Sequence, residues 1–176
     1  ERTLKAVDIR CCLVAASAVS AGEFNRRVRT SGSKAIVNFE LMISLAETCW
    51  KRAAGRPLRL MVDRHGGRTR YLDDLHAAWP AARRQVLEES EHASRYVLTQ
   101  PGRGPLEISF SSGADSAHFP VALASMAAKY VRELMMIRLN RFFASHMPDL
   151  KPTAGYVEDG RRFINEVQPF LETAQL

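Results

Sequence analysis

The sequence predicts an α/β fold, with α+β as the alternative, in which helices flank a mixed sheet. Short apolar runs bounded by turn residues indicate strands, and longer segments with helical periodicity precede and follow them. This order of elements is expected when helices cover a sheet. The chain has 176 residues, enough for a sizeable core, so we expect one domain over 1–176.

The first part of the chain predicts a strand followed by two helices. Residues 4–19 are apolar with few breaks and contain Val, Ile and Cys, which favour a strand. Ser20 and Glu23 have the spacing of a capping box, so a short basic helix is expected to begin there. The periodicity of Lys34–Arg52 then predicts an amphipathic helix. Its expected buried face carries Ile36, Phe39, Ile43, Leu45 and Ala46.

The middle of the chain predicts most of the sheet. Residues 58–62 form a short apolar run that ends in Asp63, which is typical of a buried central strand. A helix is expected to begin near Leu72 and to end before Trp79-Pro80. Three further strands are expected at 86–89, 94–99 and 106–112. The Pro- and Gly-rich residues 101–105 predict a hairpin turn between the last two strands.

The last part predicts two helices joined by a loop. Pro120 suits the first turn of a long helix that continues to about Ser145. Residues 147–155 are expected to form a loop, and residues 157–173 a closing helix.

Composition limits the classes of function. The formal net charge is +6 and the sequence pI is about 9.6, which favours a polyanionic partner. No run reaches the roughly 18 apolar residues of a membrane span, so we expect no membrane partner. Cys11, Cys12 and Cys49 lack zinc-ligand spacing, and we expect free buried thiols in a cytoplasmic protein.

A polar stripe on the long helix is the most informative feature of the chain. Ser125, Lys129, Arg132 and Glu133 have the spacing of one helical face. Small apolar residues flank them, so a half-buried functional stripe is expected. The alternative is an ordinary surface helix with a Lys129–Glu133 pair, worth a few tenths of a kcal/mol.

Asp63 is the second candidate. A carboxylate just after a strand faces the crevice where α/β sheets bind ligands, and together with Glu133 it could share a divalent cation. The alternative is an Asp that caps a turn. Arg64, Arg68 and Arg70 follow it and are expected to line a basic groove for phosphates; the alternative is a solvated charged loop.

Tyr156 is the third candidate. It follows a loop and begins the last helix, where an exposed Tyr could stack on a base or sugar and bond a 2′-hydroxyl. The alternative is a Tyr packed against the long helix. The histidines lack ligand spacing and are expected to be surface or satisfied residues: His65, His76, His92, His118 and His146.

The stripe resembles the signature helix of the type 2 ribonucleases H, A-S-x-x-A-K-x-x-R-D, with Glu133 in place of the last Asp. The strand that ends in Asp63 and the sequence Gly155-Tyr156-Val157-Glu158-Asp159 are similar to two further motifs of that family, and the chain looks closest to its divergent bacterial relatives. The resemblance implies a ribonuclease-H-like sheet and hydrolysis of RNA in RNA–DNA hybrids or at junctions with Mg²⁺ or Mn²⁺.

By the same resemblance, Asp63 and Glu133 would bind metal, and Tyr156 would sense the 2′-hydroxyl. Lys129 and Arg132 would orient the carboxylates or the phosphate, and Ser125 would lie beside the substrate. The family's first strand carries D-E-A-G-R-G, which supplies two more carboxylates, and this sequence lacks that motif. Three hypotheses follow: a parent protein with the missing strands, since the chain begins at Glu1 without Met; a binding domain that does not cut; or a protein-interaction domain.

Overall fold

The computed structural model describes residues 9–174 of the chain. Contacts divide it into two compact units, Glu1–Ala127 and Ala128–Leu176, and the boundary falls within the longest helix. The elements in chain order are α1 (Ala21–Ser31), α2 (Lys34–Arg52), β1 (Leu58–Asp63), α3 (Leu72–Ala78), β2 (Arg83–Glu89), β3 (Ala93–Thr99), β4 (Leu106–Ser111), α4 (Ala114–Ala117), α5 (Phe119–Ala144) and α6 (Val157–Ala174).

The first unit contains a four-stranded mixed sheet in the order β1-β4-β3-β2. β1 runs parallel to β4, while β4, β3 and β2 pair antiparallel, so the prediction of a mixed sheet flanked by helices is confirmed. The predicted central position of β1 is wrong, because β1 lies at an edge of the described sheet. Its apolar residues Leu58, Leu60 and Val62 are only half-buried, although they pack against the core.

The segment before α1 departs from the prediction. Residues 9–19 form no strand, and residues 4–8 of the predicted strand lie outside the described part. A strand needs a hydrogen-bonding partner, and no described strand pairs with this segment. Cys11 and Cys12 are exposed and Cys49 is half-buried, so the prediction of buried thiols is also wrong.

The first two helices begin where the sequence predicts. The Ser20 hydroxyl accepts a hydrogen bond from Glu23 N at 3.2 Å, while the Glu23 carboxylate pairs with Arg26 instead of completing the capping box. Helix α2 has the predicted bounds and buries Val37, Phe39, Ala46 and Trp50, whereas Ile36 is exposed.

The core of the first unit lies where α2 and α3 pack on one face of the sheet. Tyr71 stacks on Phe110 of β4 with 3.8 Å between ring centroids. At the other end, Trp50 and Trp79 meet edge to face at 5.5 Å. Arg103, from the turn between β3 and β4, lies 3.8 Å over the Trp50 ring and bonds Glu47 at 3.0 Å. These contacts fasten the predicted hairpin turn to α2.

The second unit is built from α6 and most of α5. Its core is small and aromatic, with Phe143 of α5 against Phe163 of α6 at 5.2 Å and Val167 beside them. Both helices follow the predicted bounds closely. Among the described helices, none combines the length and the apolar character needed to cross a bilayer.

Candidate nucleic-acid interface

Helix α5 places the predicted stripe on one face. Ser125, Lys129, Arg132 and Glu133 all lie within α5, where their spacing brings them to the same side. Ser125 and Arg132 are half-buried, as expected, but Lys129 and Glu133 are exposed. The stripe therefore presents a cation and a carboxylate to solvent, with Arg132 set deeper between them.

Arg132 is the centre of a cluster in the second unit. Its Nη1 donates to the Glu133 carboxylate at 2.7 Å, and its Nη2 donates to the carbonyl of Ala154. The same guanidinium lies 4.9 Å from the ring centroid of Tyr156. Tyr156 is 69% exposed, so the ring is not packed away as a structural staple. Two residues of the stripe thus meet the separately predicted Tyr156, and an aromatic face is held beside a cation.

The loop before α6 is fixed by hydrogen bonds around Thr153, which is buried. The Thr153 hydroxyl donates to Asp159 at 2.6 Å and accepts from Gly155 N at 2.9 Å. The Thr153 backbone exchanges two bonds with the side chain of Asn140 on α5, at 2.8 and 2.9 Å. The position of Tyr156 is therefore set before any ligand arrives.

Asp159 and Arg162 complete this support. The hydrogen bonds from Thr153 and then from Arg162 hold the pKa of Asp159 well below its usual range, so the carboxylate stays charged. Arg162 also donates to the carbonyls of Lys151 and Pro152, and its bond to Asp159 raises its own pKa. One ion pair thus joins α6 to residues 151–154 of the loop.

Gly155 is required by the geometry of the loop. Its φ of +72° lies in the left-handed region, which side chains rarely adopt. A Cβ at this position would also lie 3.1 Å from Met136 Sδ and 3.3 Å from Arg132 Nη2. The Gly-Tyr pair therefore lets the backbone approach α5 closely enough for Arg132 to reach Ala154.

Asp63 lies in the first unit, at the end of β1, and is exposed. Its Oδ1 accepts a hydrogen bond from Ala114 N, the first residue of α4, at 3.1 Å. Among the described residues, Asp63 therefore caps the start of α4 rather than the turn that follows it at Gly66-Gly67. Asp63 belongs to the first unit and Glu133 to the second, and their shared cation stays a prediction.

The arginines after Asp63 have unequal roles. Arg64 donates to the carbonyls of Ser90 and Glu91, and Arg68 pairs with Asp74 while lying 4.8 Å over the ring of Tyr71. Both guanidinium groups thus have structural partners within the unit. Arg70 is the third arginine of the expected groove. Its side chain is 86% exposed and lies 3.9 Å from Glu89.

His65 departs from the expectation of a surface or satisfied histidine. It is half-buried between aromatic rings, and its Nδ1 is buried without a hydrogen-bond partner among residues 9–174. Burial, and then the charge of Arg68, lowers its pKa. The side chain is therefore neutral near pH 7 and packs as part of the loop.

No complete cation site forms among residues 9–174. In that part of the chain, no group of three or more His, Cys, Asp or Glu side chains could hold a metal ion. The Glu133 carboxylate is also engaged by Arg132. A metal ion at Asp63 and Glu133 therefore stays a prediction.

Comparison of the chain with protein-family models, with curated proteins and with solved structures finds no significant match. The resemblance to type 2 ribonucleases H therefore remains an expectation based on the motifs.

The sequence patterns did not identify three residues that support the cluster. Asn140 and Thr153 support the loop, and Arg162 joins it to α6. A signal for Asn140 was available, because it follows Arg132 and Met136 at intervals of four on the same face of α5. Nothing in the sequence marked Thr153, because its role depends on a partner in another element.

Proposed function

We propose that the chain is a nucleic-acid-binding domain of the ribonuclease H type. Its parent activity would be the metal-dependent hydrolysis of RNA in RNA–DNA hybrids or at junctions. The alternative is a domain on the same scaffold that binds nucleic acid, or another protein, without cutting. We place the protein in the cytoplasm, where unpaired thiols such as its three free cysteines stay reduced.

The observation that carries the proposal is the cluster of Arg132, Glu133 and Tyr156. An exposed aromatic ring can stack on a base or sugar, and its hydroxyl can bond the 2′-hydroxyl that distinguishes RNA from DNA. The neighbouring guanidinium matches the geometry of a phosphate. The hydrogen-bonded loop supports this role, because it orients Tyr156 without a cost paid on binding.

Within the first unit, Asp63 and Arg70 are the residues we propose for the same function. Asp63 offers a carboxylate for Mg²⁺ or Mn²⁺, and Arg70 an exposed cation for a phosphate. Two carboxylates are fewer than a two-metal hydrolase requires to hold its ions and aim the attacking water. We therefore expect the 176-residue chain to bind a hybrid but to cut it weakly or not at all.

Binding is tested with Tyr156→Ala and with Tyr130→Ala as the matched control. Tyr130 is also exposed, at 66%, and lies on α5. If Tyr156 stacks on one base, Tyr156→Ala should weaken binding to an RNA–DNA hybrid by about 1–3 kcal/mol. Tyr130→Ala should bind the hybrid with an affinity near that of the wild type. Tyr156→Phe should keep the stacking but lose the preference for the hybrid over a DNA duplex. Equal losses in both Ala variants would contradict the proposed site.

Cleavage is tested on the same hybrid with Mg²⁺ or Mn²⁺, with Asp63→Asn and Glu133→Gln as comparisons. Strong cleavage by this chain that neither substitution reduces would show that the catalytic acids lie elsewhere. Binding without cleavage, in this chain and in the parent protein, favours the binding-only alternative. No binding at low salt, where phosphate contacts are strongest, would leave the protein-interaction alternative.

A further inference from the structure

A second feature of the first unit concentrates positive charge. Residues 21–34 carry four cationic side chains, Arg26, Arg27, Arg29 and Lys34, and one carboxylate, Glu23. These fourteen residues therefore hold three of the six net positive charges of the chain. They form the corner where α1 ends, Gly32 turns the chain with φ +72°, and α2 begins. We call this surface the basic corner.

Structural roles explain only part of this charge. Arg26 pairs with Glu23 and Arg27 with Glu40, but the Arg26 side chain remains 71% exposed and that of Glu40 51% exposed. Exposed pairs of this kind contribute about 0–1 kcal/mol and exchange partners readily. Arg29 and Lys34 are exposed and have no ion-pair partner among the described residues.

Local electrostatics disfavour Lys34 and are mixed for Arg29. Lys34 is the first residue of α2, where a helix disfavours positive charge, and no acidic residue in the first turn offsets it. Arg26 and Arg29 are three positions apart on α1, a like-charge spacing that costs a few tenths of a kcal/mol. Arg29 alone has a local benefit, because it lies in the last turn of α1.

Helix α1 buries none of its residues. Phe24 and Val28 are half-buried, while Arg26 and Arg29 are exposed. The arginines are therefore not held by the core, and they remain available to a partner.

We infer that the basic corner is a surface that binds the phosphate backbone of a duplex, with Arg29 and Lys34 as its principal contacts. The inference rests on the proposed function, which supplies a nucleic acid as the partner. Phosphates are favoured because their charge would relieve the repulsion at the corner and because arginine matches their geometry. These contacts read no sequence, so they would hold and align the duplex without selecting it.

The test measures hybrid affinity as a function of salt by fluorescence anisotropy, with a duplex of about 20 base pairs, two helical turns. Arg29→Gln/Lys34→Gln is compared with Arg52→Gln/Arg83→Gln. The control pair removes the same charge from exposed arginines that also lack ion pairs among residues 9–174.

Each lost phosphate contact should flatten the log–log salt dependence by about 0.9. The Arg29→Gln/Lys34→Gln variant loses two contacts, so its log–log slope should be shallower by about 1.8. A fourfold rise in salt should then reduce the affinity of the wild type about tenfold more than that of the variant. The control variant should keep the wild-type slope. Tyr156→Ala should bind more weakly with that same slope, which separates the two surfaces.

The outcomes distinguish this inference from the proposed function. If the wild-type chain does not bind the hybrid at any salt concentration, both fail. If it binds, but the Arg29/Lys34 variant keeps the wild-type slope or the control flattens it equally, only the basic corner is overturned. Tighter binding to phosphatidylserine–phosphatidylcholine vesicles than to the hybrid, lost in the same variant, would overturn the duplex in favour of a membrane surface.

Discussion

Thr153 offers the most direct test of how the loop before α6 is held. Thr153→Val keeps the shape of the side chain but removes the hydroxyl, which donates to Asp159 and accepts from Gly155 N. Thr153→Ser keeps the hydroxyl and serves as the matched control. Thr153 is 4% exposed, so its hydroxyl depends on these protein partners.

The magnitude follows from the two bonds. A hydrogen bond to a charged group contributes about 1.5–3 kcal/mol, and we take the lower end because the Asp159 side chain is 32% exposed. The bond from Gly155 N adds about 1 kcal/mol. We expect Thr153→Val to lower the free energy of unfolding of the second unit by about 2–3 kcal/mol. Thr153→Ser should lose less than about 1 kcal/mol.

Hydrogen exchange of the Ala154 and Gly155 amides measures this effect directly, because both amides belong to the network. A destabilisation of 2–3 kcal/mol should speed their exchange by about 30- to 150-fold in Thr153→Val, and hybrid affinity should fall with it. Exchange rates that match those of Thr153→Ser would refute the reasoning and show that the other bonds of the loop hold it without the Thr153 hydroxyl.

Two further predictions concern the first unit. Burial raises the pKa of Glu47, but hydrogen bonds from Arg103 and Trp79 outweigh it and hold the pKa below 4.5. The stability from this lowered pKa is present above about pH 4.5 and lost as pH falls, so in acid unfolding monitored by tryptophan fluorescence the wild type should lose more stability than Glu47→Gln. Asp63→Ala should cost about 1 kcal/mol by uncapping Ala114 N, whereas Asp63→Asn keeps an acceptor and should unfold like wild type in urea.

The regular parts of the fold were predictable because they depend on local patterns. The periodicity of Lys34–Arg52 and the Pro–Gly turn at 101–105 are each complete within a few residues. The position of β1 was not predictable, because a short apolar run looks the same at the centre and at the edge of a sheet. Its place depends on pairing with β4, which lies about fifty residues further along the chain.

In the candidate site too, the features that depend on local spacing were predictable and those that depend on contacts between elements were not. Helical spacing was enough to place Ser125, Lys129, Arg132 and Glu133 on one face. The exposure of Tyr156 depends on where the loop carries it, and the loop depends on pairs such as Asn140 with Thr153, thirteen residues apart. Such pairs between elements leave no periodic trace in the sequence.

The contact between Trp50 and Trp79 has a spectroscopic consequence. The chain has two tryptophans, and their rings lie at 5.5 Å and 89° to each other, so they form a single coupled chromophore. Its near-ultraviolet circular dichroism and its fluorescence emission should report on a single place in the fold, where the ends of α2 and α3 meet the turn after β3. The second unit carries no tryptophan of its own, so a rearrangement within it would be followed best with a label on that unit.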